Sequence, residues 1–240
     1  QKILEDNEIQ FTGSNSTSCG LAMNKSETKK VWRDLSLPTP DFVEISNAGT
    51  SKTQTTPFLS GEKDITPLEE AFVVKPAREG SSLGISIIKP GKGSLEEAMK
   101  KALEYDDLII VEAFIEGKEI TVPILNQKAL HPISIKAKGE FYDFEAKYLR
   151  NDTEYLKPEL SSEELLTLNE YAWHAFSSIG CSGWGRVDLI MDHERNFQLI
   201  ELNTVPGLTE TSLVPKSAII DGINFNELVI SILNSACIED

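Results

Sequence analysis

The chain has 240 residues, 40% hydrophobic and 25% charged, with a formal net charge of −15. That length can bury a sizeable core in one or two domains. The charge argues against nonspecific binding to nucleic acid or an anionic membrane, and the absence of an apolar run of about 18 residues argues against a transmembrane helix. Cys19, Cys181 and Cys237 form no C-x-x-C pair, which fits a reducing compartment. His131, His174 and His193 are scattered, so a histidine-based metal site is not expected.

Gln1–Ile9 reads as the tail of a helix, followed by a short strand ending at Thr12-Gly13. A chain that opens at Gln1 inside a helix suggests a fragment. Asn24-Lys25-Ser26-Glu27 has the form of a capping box and starts a helix that runs to about Leu35, where Pro38 and Pro40 stop it. A strand is expected near Phe42–Ile45, then a polar loop over Asn47–Thr66. Phe72–Lys75 and Gly84–Ile88 read as strands joined by the loop Ala77–Leu83. Ser94–Glu97 opens a helix with Leu95, Ala98, Met99, Ala102 and Leu103 on one stripe.

Leu108–Phe114, Glu119–Leu125 and Pro132–Lys136 read as strands, and Gly139–Pro158 as a long functional loop. Ser161–Glu164 caps a helix whose apolar stripe is Leu165, Leu168, Ala172, Phe176 and Ile179, closed by Gly180. A hairpin spans Gly183–Asn203, and Asn224–Glu227 opens a last helix to about Cys237. Hairpins and irregularly spaced helices point to an α+β architecture rather than a doubly wound sheet.

The hairpin carries the strongest chemical signal. Arg186 and Asp188 alternate onto one face of the first strand, and Glu201 and Asn203 share a face of the second. With Asp192–Asn196 as the turn, Asp188 falls opposite Glu201 and Arg186 opposite Asn203. Two facing carboxylates repel, and among apolar neighbours they need a cation or a shared proton. The oxygen donors of Asp188, Glu201 and Asn203 suit Mg²⁺, and Arg186 beside them suits a carboxylate or a charged intermediate.

Ala77–Gly84 forms a small-residue loop in which Gly80, Gly84, Ser81 and Ser82 can approach an anion. Lys25, Lys75 and Lys147 stand on three separate elements and can converge on a triphosphate, although each alone reads as a surface lysine. Glu112–Glu119 exposes a backbone stretch suited to an adenine, with Glu119 placed for ribose hydroxyls. Pro206-Gly207 and Ser212-Leu213 form a loop past the acidic strand whose amides and hydroxyl suit a small carboxylate.

Four segments, VKPAREGSSLG, FYDFEAKY, GWGRVD and ELNTVPGLTETSLVP, together resemble the ATP-grasp superfamily and, within it, the D-alanine–D-alanine ligases. Met23-Asn24-Lys25 is similar to that family's M-D-K, with Asn for Asp. The resemblance implies two α+β lobes gripping ATP, with a central lobe over 14–115 and a C-terminal lobe over 116–240. It implies that Lys25, Lys75 and Lys147 contact phosphates, with Ser81, Ser82 and Gly84 in the phosphate-covering loop. Glu112, Phe114, Ile115 and Glu119 would hold adenosine, and Asp188, Glu201 and Asn203 two Mg²⁺, with Mn²⁺ as a substitute.

On the same resemblance Arg186 and Gly207 hold the first D-alanine and the oxyanion, Ser212 and Leu213 hold the second D-alanine, and Tyr148 with Ser81 orients the first. The reaction implied is ATP-dependent ligation of two D-alanines through an acyl phosphate, for peptidoglycan precursors, in a cytoplasmic homodimer without nucleic-acid or membrane partners. Ala113 departs from a lysine common in relatives. The family's additional N-terminal α/β domain is represented by 1–13 alone, so these 240 residues are expected to bind ATP and ligate poorly. Another ATP-grasp carboxylate–amine ligase and a noncatalytic nucleotide-binding fragment are the competing readings.

Overall fold

The computed structural model describes residues 1–46, 70–136 and 154–237. Two antiparallel sheets organise it. The first contains β1 (Phe42–Ser46), β2 (Phe72–Pro76), β3 (Ser86–Ile88) and β4 (Leu108–Ala113), in the order β1-β4-β2-β3. The second contains β5 (Gly117–Leu125), β7 (Ile133–Lys136), β8 (Glu154–Leu156), β9 (Trp184–Asp192) and β10 (Phe197–Asn203), in the order β10-β9-β5-β7-β8. The two-residue β6 (Lys128–Ala129) pairs with β5. All described pairings are antiparallel, so the α+β expectation holds.

Seven α-helices are described: α1 (Lys2–Asp6), α2 (Ser16–Met23), α3 (Lys25–Asp34), α4 (Leu95–Leu103), α5 (Ser162–Ser177), α6 (Leu213–Ile220) and α7 (Phe225–Asn234). Their caps follow the sequence. Asn24 accepts from the amides of Ser26 and Glu27 at α3, and Ser94 accepts from Glu97 at α4. Ser161 with Glu164, and Asn224 with Glu227, form reciprocal boxes at α5 and α7.

Four sequence expectations change. The strand expected before Gly13 does not form. Residues 7–15 are irregular, and Glu5 accepts from the Ser16 amide at 2.6 Å instead. Helix α2 was not expected, because Ser16–Met23 has no apolar stripe; its signal is the cap Asn15, which accepts from the Ser18 amide at 2.8 Å. Helix α6 begins where a loop was expected, with Ser212 as its N-cap. Strand β8 lies inside the stretch read as a loop and pairs Ser134 with Leu156.

Each sheet has its own core. On the four-stranded sheet, Phe72, Val74, Ile109 and Val111 pack against Leu95, Ala98 and Ala102 of α4. On the six-stranded sheet, Ile120, Val122, Val187, Leu189 and Leu199 pack against Leu168, Ala172 and Phe176 of α5. Ala22, Trp32 and Leu37 join this second core, so the helix pair α2–α3 packs on the six-stranded sheet. Close approach of α5 requires glycine at 185: an added Cβ would lie 2.5 Å from Phe176 Cε2 and 3.0 Å from the Asn203 carbonyl oxygen.

Trp32 is fully buried, and its indole donates to the Ala175 carbonyl at 3.0 Å. Trp32→Ala is expected to lower unfolding free energy by about 3–5 kcal/mol. Trp32→Phe keeps most of the packing and loses the indole donor, leaving that carbonyl to Ser178 Oγ at 3.2 Å, at about 0.5–1.5 kcal/mol. Denaturant unfolding checks both, and the two variants should separate in that order.

Candidate active site

The cleft between the sheets, with a volume of about 990 Å³, is built by strand alternation. Phe72 and Val74 of β2 face α4, so Val73 and Lys75 face the cleft. On β4, Ile109 and Val111 face α4, which sends Glu112 to the cleft side. On β9, Val187, Leu189 and Met191 enter the large core, which leaves Arg186 and Asp188 on the opposite face.

Simple alternation fails on β10, and the failure decides the site. Phe197 and Leu199 are core residues, so Glu201 and Asn203 would follow them inward. The register with β9 shifts between Leu199 and Glu201, a bulge at Ile200. After it Leu202 takes the core position. Glu201 and Asn203 thereby reach the face of Asp188 and Arg186, and the pairs are Glu201 with Asp188 and Asn203 with Arg186, as the hairpin reading expected.

Asp188 is 6% exposed and accepts four hydrogen bonds. Thr121 Oγ1 (2.6 Å) and Arg186 Nε (2.8 Å) donate to Oδ1. Arg186 Nη2 (2.7 Å) and Asn203 Nδ2 (3.1 Å) donate to Oδ2. Burial works against the Arg186 charge, but Asp188 outweighs it and raises the arginine pKa above its ordinary value. Glu201 lies 3.9 Å from Lys25 Nζ. The cation that the facing acids were expected to need is supplied within the protein, by Arg186 at Asp188 and Lys25 near Glu201.

Among the described residues no group of three His, Cys, Asp or Glu side chains is placed to hold a metal. The candidate set draws its third donor from Asn203. Asp188, Glu201 and Asn203 lie on adjoining rungs of one face and carry hard oxygens, which fits a divalent cation bound jointly with phosphate.

Lys25 and Lys75 are not surface lysines. They are 7% and 3% exposed and line the cleft. Lys25 Nζ donates to the Glu79 carbonyl, and its backbone amide donates to the Ala77 carbonyl at 2.9 Å. Both bonds tie α3 to the loop between β2 and β3. The root of that loop is fixed by Arg78, whose amide (2.7 Å) and Nε (3.1 Å) donate to Asp106.

Ser81 and Ser82 adopt φ of 53° and 61°, in the left-handed region that non-glycine residues rarely occupy. Ser82 Oγ is buried beside the cleft and has no hydrogen-bond partner among the described residues. Gly84 has φ +70°, and an added Cβ would come within 2.7 Å of Pro76 Cγ. The structure thus gives Gly84 a packing role at the loop's end, whereas Ser82 faces the cavity.

At the far end, Phe114, Ile115 and Glu119 line the cleft, with Lys89 Nζ 5.9 Å from the Phe114 ring centroid. The amides of Ala113 and Phe114 bond to the Asp41 and Ala71 carbonyls, which withdraws them from ligand binding. Glu112 lies between two lysines, Lys75 and Lys29, rather than open to a nucleoside. Gly207 is exposed past β10; Ser212 accepts from the Thr209 amide at 3.1 Å; Leu213 packs on Ile135, which borders the cleft. Lys147 and Tyr148 lie outside the described residues.

Sequence reading missed Thr121 and Lys29. Thr121 sits in an apolar strand whose alternation with Ile120 and Val122 could have marked it as facing the acids. Lys29 follows Lys25 by one helical turn, which was the available sign that both share a face.

A family model described as D-ala D-ala ligase C-terminus matches residues 31–234. The D-alanine–D-alanine ligase of Idiomarina loihiensis is 42% identical over 234 residues, spanning 97% of this chain and 74% of that protein. The D-alanine–D-alanine ligase of Marinobacter nauticus is 42% identical over 240 residues, spanning 100% of this chain and 70% of that protein. Two crystal structures of D-alanine–D-alanine ligase from Bacillus anthracis, one complexed with ATP, superpose with TM-scores of 0.81 and 0.83 at 29% and 32% identity. They cover 99% of this chain and 73% and 74% of theirs. With the described cleft and these matches together, the chain belongs to the D-alanine–D-alanine ligase family.

Proposed function

We propose that this chain carries the catalytic core of an enzyme that joins two D-alanines at the expense of ATP, to make D-alanyl-D-alanine for peptidoglycan precursors. The observation that carries the reading is the convergence in one cleft of Lys25, Lys75, the Ser82 hydroxyl, unpartnered among the described residues, and the Asp188–Glu201 pair. Cations and an orphaned donor suit phosphate oxygens, and facing acids suit a metal that bridges to them. The cytoplasmic homodimer expected of the family belongs to the same reading.

In the reaction, a carboxylate oxygen of the first D-alanine attacks the γ-phosphorus of ATP, and ADP leaves. The resulting acyl phosphate is attacked at its carbonyl carbon by the amine of the second D-alanine. Inorganic phosphate leaves, and the amine gives up a proton. Lys25 and Lys75 hold phosphate charge, while the Ser82 hydroxyl donates to a phosphate oxygen. Arg186 holds the first substrate's carboxylate and the oxyanion of the tetrahedral intermediate, a role supported by its position within the acid cluster. Gly207 joins Arg186 in holding the first substrate and the oxyanion, and Ser212 and Leu213, the latter packed on Ile135, hold the second substrate's carboxylate.

Asp188, Glu201 and Asn203 would hold Mg²⁺, which supplies charge neutralisation on the phosphates when bound. All four acceptor positions of Asp188 are taken in this structure, so a cation that ligates it exchanges with an Arg186 or Asn203 donor. Lys147 and Tyr148 keep their proposed roles at the phosphates and at the first substrate.

The direct test is isothermal titration of these 240 residues with ATP, followed by phosphate release by the polypeptide that carries them. ATP should bind, and release should depend on D-alanine and not on L-alanine or glycine. A stronger response to another amino acid would transfer the chain to a different ligation. Arg186→Lys keeps the charge but loses the two-pronged contact. It should lower kcat by roughly 10²- to 10³-fold and leave ATP affinity within about twofold; equal losses in both would remove Arg186 from the chemistry. Ser82→Ala removes a buried hydroxyl with no described partner. Thermal stability should hold or rise slightly, while ATP affinity falls roughly 2- to 10-fold.

A further inference from the structure

A buried cluster of three charges lies beneath the cleft. Lys29 is 0% exposed, Glu112 3% and Lys75 3%. Glu112 Oε2 lies 3.1 Å from Lys29 Nζ, and its Oε1 pairs with Lys75 Nζ. Lys29 Nζ also donates to Thr39 Oγ1 at 2.6 Å and to the Leu199 carbonyl at 3.3 Å. The three side chains come from α3, β4 and β2, and the Leu199 carbonyl from β10. Lys29 therefore joins the four-stranded sheet to the edge of the six-stranded one.

Lys75 lines the cleft and Lys29 does not, which sets their division of labour. Two ammoniums share one carboxylate, so the cluster keeps one net positive charge. Without Lys29, Glu112 would cancel Lys75 completely, and the floor of the cleft would be neutral where phosphate is to bind. We propose that Lys29 is a positioning residue for the nucleotide phosphates: its ammonium, in ionic contact with Glu112 Oε2, balances that carboxylate and leaves the charge of Lys75 available to the ligand. This rests on the ATP-binding reading above.

The local electrostatics agree with the geometry. Burial pushes Lys29 down to about 8, against the pull of Glu112. Burial pushes Glu112 up, but Lys29 and Lys75 outweigh it and hold it below the ordinary carboxylate range. The charged groups that act on Lys29 are Glu112 from β4, Lys75 from β2 and Glu201 from β10. As pH rises through about 8, Lys29 loses its proton and the cluster loses its net charge.

The test compares ATP with adenosine by isothermal titration, because only ATP carries the phosphates. Lys29→Met should weaken ATP by roughly 10-fold or more and adenosine by less than about twofold. In the Glu112→Gln background nothing cancels Lys75, so adding Lys29→Met should no longer lower the ATP-to-adenosine affinity ratio. In the unmodified protein, the same ratio should fall between pH 7 and 9 (about one unit either side of the Lys29 value), a measurement that needs no variant to fold. Parallel losses for both ligands in Lys29→Met would make Lys29 a structural residue and overturn the proposal. So would an equal loss of that ratio from Lys29→Met in the Glu112→Gln background, or an unchanged ratio across the pH range in the unmodified protein. Failure of the unmodified chain to bind ATP would instead overturn the nucleotide reading itself, and this proposal with it.

Discussion

One extra residue in an edge strand governs what this cleft contains. The β10 strand begins with Phe197 and Leu199 in the core and would, by strict alternation, send Glu201 and Asn203 after them. Burying those two side chains against Phe176 and Leu168 would be prohibitive without partners. The bulge at Ile200 resolves the conflict by handing the core position to Leu202. It places two acids, an amide and a guanidinium on one surface, and every later feature of the site depends on that placement.

The bulge lies on an exposed edge, and its neighbour is secured from outside the sheet. The Leu199 amide donates to the Pro38 carbonyl at 2.8 Å, and its carbonyl accepts from Thr39 Oγ1 at 2.8 Å and from Lys29. Backbone groups that an edge strand would otherwise leave open are thus paired. The residues that do this follow α3 directly, so the helix bearing Lys25 and Lys29 is anchored to the strand bearing Glu201. Positioning of the α3 lysines and of the acids is in this sense one structural event.

Much of this was legible in the sequence, for identifiable reasons. The turn at Asp192–Asn196 is polar and compact, and Asp192 accepts from the Asn196 amide at 2.8 Å, so the hairpin and its facing acids could be placed. Capped helices with an apolar stripe, α4 and α5, were equally visible. Helices α2 and α6 were not, because neither carries such a stripe. The bulge was invisible because Ile200 is as apolar as its neighbours. Burial of Lys25, Lys29 and Lys75 was hidden for a different reason: a lysine's default is solvent, and the carboxylates that override it, Glu201 for Lys25 and Glu112 for the other two, lie far along the chain. The compensation of Asp188 by Arg186 two residues away was legible in principle, yet the repulsion between acids drew attention first.

That compensation bears on how the site can respond to ligands. A carboxylate with four donors is held rigidly and has no acceptor position to spare. Any cation that ligates Asp188 must release a donor, and the two candidates differ in consequence. Releasing the Asn203 amide frees a neutral group whose oxygen can turn to the same cation. Releasing Arg186 frees a buried guanidinium, 16% exposed, which then needs an anion of its own. In the proposed reaction the first substrate's carboxylate would be such an anion. On the proposed function, the energetics of the acid cluster would therefore link occupation of the proposed metal position to demand for the substrate, with Arg186 as the group whose charge must be satisfied in either state.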